Sequence, residues 1–290
     1  MLVAVSAASC LLFGQETKRA VGNGFCTIGE SMSLKEAKKQ ALEEAYKDAI
    51  QQVVGVRVHS EETQSKGESG VSGSAESRLV ESFAMLTRVS SSGKVIASRE
   101  LLDTLEEQSS PGGRKVRVYH VSVDAQVATE QGSPDVSFQL VLELNKSAFQ
   151  AGRNGESDEE LVTIVRSSKD CYLTLFSVSD DSVKVLFPND YMKDGRISAD
   201  EQFEFPPKQF RESGLHIRPS LRPGTSHSSE AVIAVGTKAG VPFGGWEKEG
   251  GETGEVATYR AALVDLNRWL SGIPLDARAE AHALLEIQRR

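Results

Sequence analysis

The segment SKDCYLTLFSVSDDSVKVLFPNDY, residues 168–191, decides how the C-terminal half of this chain is interpreted. Two apolar runs flank the polar turn SDDS, and Pro188 follows the second run. Proline has no backbone N–H to donate, so it would end the strand ladder there. Cys171, Leu173 and Leu175 would share one face of the first strand, and the alternate positions are also apolar. The pattern therefore predicts a central hairpin in a sheet that is covered on both faces.

Further short strands surround this hairpin in the sequence. Apolar residues alternate at Val136, Phe138, Leu140, Leu142 and Leu144, and more short apolar runs follow, separated by Asp, Gly, Pro and Asn. Such spacing is typical of a β-sandwich or an open barrel. The last segment predicts an amphipathic helix through Leu270, a break at 272–274 and a second short element. Residues 136–290 are thus predicted to form a mainly β, sandwich-like domain with C-terminal helices.

The N-terminal half contains the clearest helix in the chain, over SLKEAKKQALEEAYKDAIQQVVG. Ser33 and Glu36 form a capping box, and Gly55 is expected to close the helix in the left-handed conformation. A line of alanines at helical spacing would let this helix lie close against a sheet. The residues that recur on one face of this helix are Leu34, Ala37, Ala41, Leu42, Ala45, Tyr46, Ala49, Ile50 and Val53.

The segments around this helix complete the first predicted domain. A glycine-broken strand precedes it, a strand over 56–62 and a Gly/Ser-rich mobile loop follow it, and a second helix is predicted near 75–89. A long hairpin then spans about 93–130, with a bulge expected near Tyr119–His120 to reconcile two apolar phases. Residues 18–130 are therefore predicted to be an α+β domain, with helices on an antiparallel sheet.

The first seventeen residues differ in composition from the rest of the chain. MLVAVSAASCLLFGQ is apolar, is too short to span a bilayer and lacks the positive residues that usually precede a signal sequence. We expect residues 1–17 to be a signal or anchor segment of an exported protein. The alternative is a cytosolic chain with a buried first strand. Lipidation of Cys10 would add membrane association through the N-terminus.

Charge and motif content restrict the chemistry. With 33 Lys and Arg against 41 Asp and Glu the net charge is −8, which argues against a nucleic-acid binder. The five histidines lie at no metal-ligand spacing, and neither a G-x-S-x-G elbow nor a P-loop is present. We expect no catalytic residue, no cofactor and no metal, hence no enzyme. A hydrolase would need His, Ser and Asp to converge from distant segments.

Two further features leave alternatives open. Cys26 and Cys171 could form one disulfide, but buried free thiols are the expected state because the two residues lie in different predicted domains. In the glycine-rich loop GVPFGGWEKEGG, Phe243 and Trp246 are candidate ligand contacts, since exposed aromatic rings stack on sugars or peptides. Packing of Trp246 on the sandwich is the alternative.

Several motifs resemble known families. LVLELNKSAFQAGR, the DCYLTLF and VLFPN core, EAVIAVGTK and LVDLNRWLSGIPLDARAEA together resemble the domain of unknown function 4384 across about 136–285. Residues 18–129 are similar to the N-terminal domain shared by the flagellar assembly T protein and small outer-membrane lipoproteins. The resemblance implies a protein of the bacterial envelope or a modular signalling protein, and it carries no active-site residue over to this chain.

These observations together predict a non-enzymatic, exported bacterial envelope protein that acts through protein–protein contacts, as an assembly or scaffolding factor in the periplasm or at the outer membrane. Its partner would be another envelope protein. The alternative function is a binding module for a small ligand, a peptide or a cell-wall polymer.

Overall fold

A computed structural model describes residues 16–29, 32–55, 93–109, 115–179, 182–214, 216–221, 225–244, 247–249 and 258–290. The chain is β-rich, with a few helices and several sheets. The described helices are α1 (Leu34–Val54), α2 (Lys208–Glu212) and α3 (Leu263–Ser271), with a 3-10 turn at Leu275–Ala277. The described strands are β1 (Thr17–Thr27), β2 (Gly93–Ser109), β3 (Lys115–Thr129), β4 (Leu140–Leu144), β5 (Ala148–Ala151), β6 (Thr163–Ser167), β7 (Cys171–Ser179), β8 (Ser182–Phe187), β9 (Arg196–Ile197), β10 (Gln202–Phe205), β11 (His227–Thr237), β12 (Glu247–Glu249), β13 (Thr258–Ala262) and β14 (Arg278–Arg289).

In the N-terminal half, α1 lies on one face of an antiparallel sheet with the strand order β1-β3-β2. The capping box is confirmed: the Glu36 N–H donates to Ser33 Oγ, and the Ser33 N–H donates to the Glu36 carboxylate. The alanine line is buried at positions 37, 41, 45 and 49. Gly55 ends the helix at φ 78° and ψ 165°: the φ is positive, as a left-handed cap requires, but the ψ lies outside the left-handed helical range that the sequence predicts.

Two glycines of β1 permit the close approach of α1 to the sheet. A Cβ atom on Gly22 would lie 1.9 Å from the Ala45 carbonyl oxygen, and one on Gly24 would lie 1.9 Å from that of Ala41. Both strand residues therefore have to be glycine for the helix backbone to rest directly on the strand. The close packing expected from the alanine line is confirmed.

The predicted β2–β3 hairpin is present, but the predicted bulge near Tyr119–His120 is wrong. Strand β3 pairs without irregularity, and the register shifts lie on β2 instead, between Val95 and Ala97 and between Glu100 and Leu102. The two apolar phases of β3 simply face opposite sides of the sheet. The predicted strand over 56–62, the Gly/Ser-rich loop and the second helix lie outside the described residues.

The C-terminal half contains a large sheet with the order β12-β13-β8-β7-β11-β14-β5, in which β9 also pairs with β7, and a small sheet with the order β10-β6-β4. The central position of the β7–β8 hairpin is confirmed. Leu173 and Leu175 face a core shared with the small sheet. Phe176 and Val178 face a second core that includes α3. Strand β8 ends immediately before Pro188, as predicted.

Two predictions for this half are wrong in detail. Strand β4 begins at Leu140, and Val136 is 84% exposed in the turn before it. The C-terminal helices are also a misassignment: one helix, α3, is followed by the strand β14. This Ala- and Glu-rich segment has helical propensity, but β14 pairs with β11 on one side and β5 on the other. Burial of Leu285 and Ile287 on one face of that strand overrides the local preference. The domain boundaries at 18–130 and 136–290 stay a prediction.

Candidate functional site

The face of the β1-β3-β2 sheet opposite α1 carries exposed apolar side chains. Alternation along β1 directs Gly22, Gly24 and Cys26 toward the helix, so Val21 and Phe25 point the other way. The strand register brings Leu102 of β2 to this face through Ser122. Phe25 is 68% exposed, Leu102 47% and Val21 46%. We call Val21, Phe25 and Leu102 the outer patch.

A histidine and its partners border the outer patch. The ring centroids of Phe25 and His120 are 6.5 Å apart, and these residues are directly opposite in the β1–β3 register. His120 Nε2 lies 3.3 Å from Gln108 Nε2 and 3.7 Å from Glu106 Oε2. The apolar surface is therefore flanked by polar groups, as in the core and rim of protein interfaces.

Side chains of α1 occupy the middle of the β1 edge that faces away from β3, an edge with which no strand in the described part of the chain pairs. Gln52 Nε2 donates to the Val21 carbonyl oxygen at 2.9 Å, and the Asn23 N–H donates to Asp48 Oδ2 at 2.8 Å. A strand added at this point would have to displace both contacts, since it would need the same backbone groups. The exposed face of the sheet is consequently more accessible to a partner than the centre of its β1 edge.

On the face of the sheet that α1 covers, opposite the outer patch, a network of charged side chains joins α1 to the strands. Lys38 Nζ donates to Asp103 Oδ2 at 2.5 Å and to Glu100 Oε2 at 3.0 Å, and the Tyr119 hydroxyl donates to Asp103 Oδ1 at 2.5 Å. The hydrogen bond from Lys38, helped by that from Tyr119, lowers the pKa of Asp103. The hydrogen bond to Asp103 raises the pKa of Tyr119, and the same carboxylate with Glu100 raises that of Lys38. These groups hold the helix in place over β2.

The aromatic residues predicted to contact a ligand are Phe243 and Trp246. Phe243 is buried, with its ring edge-on to Phe176 at 5.2 Å and to Trp269 at 5.6 Å between centroids. Trp246 lies outside the described residues, as does Cys10. The structure thus places Phe243 in the core beneath α3. A ligand contact by Phe243 and Trp246, and lipidation of Cys10, stay predictions.

Both described cysteines are free and buried, so the free-thiol prediction is confirmed and the alternative disulfide is not formed. Cys26 Sγ donates to Gln40 Oε1 at 3.0 Å, under α1. Burial raises the pKa of Cys26 and also that of Cys171. Protonated, enclosed thiols of this kind are poor nucleophiles.

The described ranges of the chain contain neither a metal-binding cluster of side chains nor a helix suited to cross a membrane. Within them, no three His, Cys, Asp or Glu side chains are placed to hold a metal ion. None of the helices in the described part of the chain combines the length and apolar character that a membrane crossing requires.

Sequence reasoning did not identify the outer patch, although a signal for it is present. In RAVGNGFCT the glycines occupy positions 22 and 24, whereas Val21 and Phe25 stand on either side of them, in the opposite phase of the strand. If the glycines face a closely packed helix, the two apolar residues must face away from it. The signal depends on knowing that Phe25 is exposed on the outer face, and one strand cannot show that.

Comparison with known proteins gives one match. No curated protein and no solved structure matches the chain. The resemblance of residues 18–129 to the flagellar assembly T protein is supported by no match. In the C-terminal half, residues 156–234, which run from just before β6 into β11, match the family described as "Domain of unknown function (DUF4384)".

Proposed function

We propose that this chain is a non-enzymatic protein of the bacterial envelope that acts through protein–protein contacts, with the outer patch as its contact surface. The observation that carries the proposal is the 68% exposure of Phe25 beside Val21 and Leu102. Exposed aromatic and aliphatic side chains that are grouped on one surface and bordered by polar residues are typical of interaction sites. The rigid sheet beneath them, held by α1, would present them without a large ordering cost.

The envelope location and the assembly role rest on sequence resemblance. The similarity of residues 18–129 to the N-terminal domain of the flagellar assembly T protein and of small outer-membrane lipoproteins supports an assembly or scaffolding factor. The apolar segment 1–17 supports export and attachment at the membrane through the N-terminus. The partner is accordingly proposed to be another envelope protein.

Site-specific photocrosslinking in native cells tests the contact surface. A photoreactive phenylalanine at Phe25 is expected to crosslink one discrete envelope protein. The matched control is the same residue at Tyr191, which is also an exposed aromatic, 52% accessible, but lies in the C-terminal half. In the chain without the photoreactive residue, Phe25→Ser should abolish recovery of that partner together with the protein. Tyr191→Ser should leave the recovery of the partner unchanged. Equal crosslinking at both positions, or at neither, would contradict the proposal.

A separate experiment tests the location. Mass spectrometry of the mature N-terminus from native cells should show removal of residues within 1–17, and a lipid-modified Cys10 would identify the anchored form. Recovery of the chain with Met1 intact and only in the cytosolic fraction would contradict export. That result would leave the outer patch itself as a contact surface for a cytosolic partner.

A further inference from the structure

Four charged side chains are gathered where the two halves of the chain meet. Lys94 is the second residue of β2 and Glu130 directly follows β3, whereas Arg278 and Glu280 belong to β14. The side chains of Lys94, Glu130 and Arg278 are 3%, 1% and 2% exposed, and that of Glu280 is 25% exposed. Two positive and two negative groups thus lie together, three of them buried and Glu280 partly exposed, and their charges balance.

Ion pairs connect these residues across the junction. Lys94 Nζ lies 3.2 Å from Glu130 Oε1, Arg278 Nη2 contacts the same oxygen, and Arg278 Nε donates to Glu280 Oε1 at 2.7 Å. Arg278 Nη1 also donates to the carbonyl oxygens of Leu270, at 2.6 Å, and Ile273. One guanidinium therefore links the end of α3, the start of β14 and the end of the N-terminal sheet.

Helix α3 adds hydrogen bonds along the same junction. Asn267 Nδ2 donates to the Val95 carbonyl oxygen at 3.1 Å, and Arg268 Nη2 donates to that of Ile96 at 2.8 Å. These carbonyls lie at the first register shift of β2, where the strand departs from regular pairing with β3. The irregularity of β2 therefore supplies acceptors to the C-terminal half.

We infer that Lys94, Glu130, Arg278 and Glu280 form a latch that holds the two halves of the chain in one fixed arrangement. Buried ion pairs are costly to form, and in some proteins they fix a geometry more than they stabilise it, because each charge must find its partner when water is excluded. The latch prevents residues 131–135, which connect the two halves, from acting as a hinge. It follows that the outer patch has one orientation relative to the DUF4384 region, whatever partner binds there.

Distance measurement by pulsed electron paramagnetic resonance tests the latch in the full chain. Spin labels at Lys18→Cys and Lys208→Cys report on the two halves, since these lysines are exposed and lie in β1 and α2. The three native cysteines are replaced by alanine. The variants are Arg278→Met and Lys94→Met. The matched control is Arg290→Met, which removes an arginine from an exposed ion pair with Asp158 within the C-terminal half.

One narrow distance distribution is expected for the labelled parent and for Arg290→Met. In Arg278→Met and Lys94→Met, with circular dichroism showing retained fold, the distribution should become at least about twofold wider, as for domains that move independently. An unchanged narrow distribution in either folded variant would overturn the latch. If both variants fail to fold, the distance distribution of the labelled parent decides the test. A narrow distribution supports the fixed arrangement, and a broad distribution overturns the latch.

Discussion

Replacing Gly24 by alanine should weaken the N-terminal half, because β1 has no room for a side chain beneath α1. The added Cβ atom would lie 1.9 Å from the Ala41 carbonyl oxygen and 2.4 Å from the Ala45 backbone nitrogen. Real Cβ contacts essentially never fall below 3.0 Å, so the overlap is 3.0 − 1.9 = 1.1 Å. Both obstructing atoms belong to the helix backbone, and no side-chain rotation relieves them.

The expected magnitude follows from two opposing effects. Relief of the overlap requires α1 to retreat by about 1 Å, which loosens the fully buried alanine line, and overpacking of this kind costs about 1–3 kcal/mol. The upper end of this range applies because two backbone atoms obstruct the added Cβ atom. Restriction of the unfolded chain returns about 0.4–1 kcal/mol when glycine becomes alanine. The net loss in the free energy of unfolding is therefore about 2 kcal/mol.

Urea unfolding followed by circular dichroism at 222 nm measures this loss, since α1 supplies 21 helical residues. Gly29→Ala is the matched control: a Cβ there meets nothing within 4 Å. The control should be as stable as the wild type or slightly more so. Adding Ala41→Gly to Gly24→Ala should not restore stability, because the main obstruction is the backbone oxygen. Equal unfolding free energies for Gly24→Ala and Gly29→Ala would refute the reasoning.

Three further predictions concern buried or partly buried groups. Glu130→Gln should lower the free energy of unfolding by about 3–5 kcal/mol in urea, because two buried cations lose a counter-charge. An unchanged value would contradict this. Burial alone would raise the pKa of Glu280, but the attraction of Lys94 and Arg278 outweighs burial and lowers that pKa below its ordinary 4.5. The ionised Glu280 therefore stabilises the fold above pH 4.5, and this stabilisation disappears as the pH falls through the lowered pKa. Wild-type urea midpoints should hence fall more steeply below pH 4.5 than those of Glu280→Gln, and parallel profiles would contradict this. Cys26 and Cys171 should resist alkylation in the native protein and react in urea, as quantified by mass spectrometry of their peptides; rapid native labelling of either would contradict their enclosure.

The sequence carried little information about the candidate site. It identified Phe243 from its glycine-rich surroundings, but the residues that place this ring against Phe176 and Trp269 are far away in the chain. It also could not show that Phe25 is exposed, since exposure depends on what the remaining chain leaves uncovered. Composition marks a residue as apolar, and only packing decides whether it faces a core or a partner.

Local physics explains what the sequence determined by itself. The Ser33–Glu36 capping box, the alanine line and the stop at Pro188 each act within a few residues, so their effects can be read along the chain. The central hairpin was predictable for a related reason: only a strand between neighbours and below two layers carries apolar residues on both faces.

Contacts between distant segments decided the rest. The Ala- and Glu-rich segment that forms β14 has local preferences for a helix, and pairing with β11 and β5 makes it a strand. Lys94 and Arg278 are unremarkable charges in the sequence, yet 184 positions apart they meet around the carboxylate of Glu130. Burial removes the water that would otherwise solvate each group, so the partner that replaces it can come from anywhere in the chain.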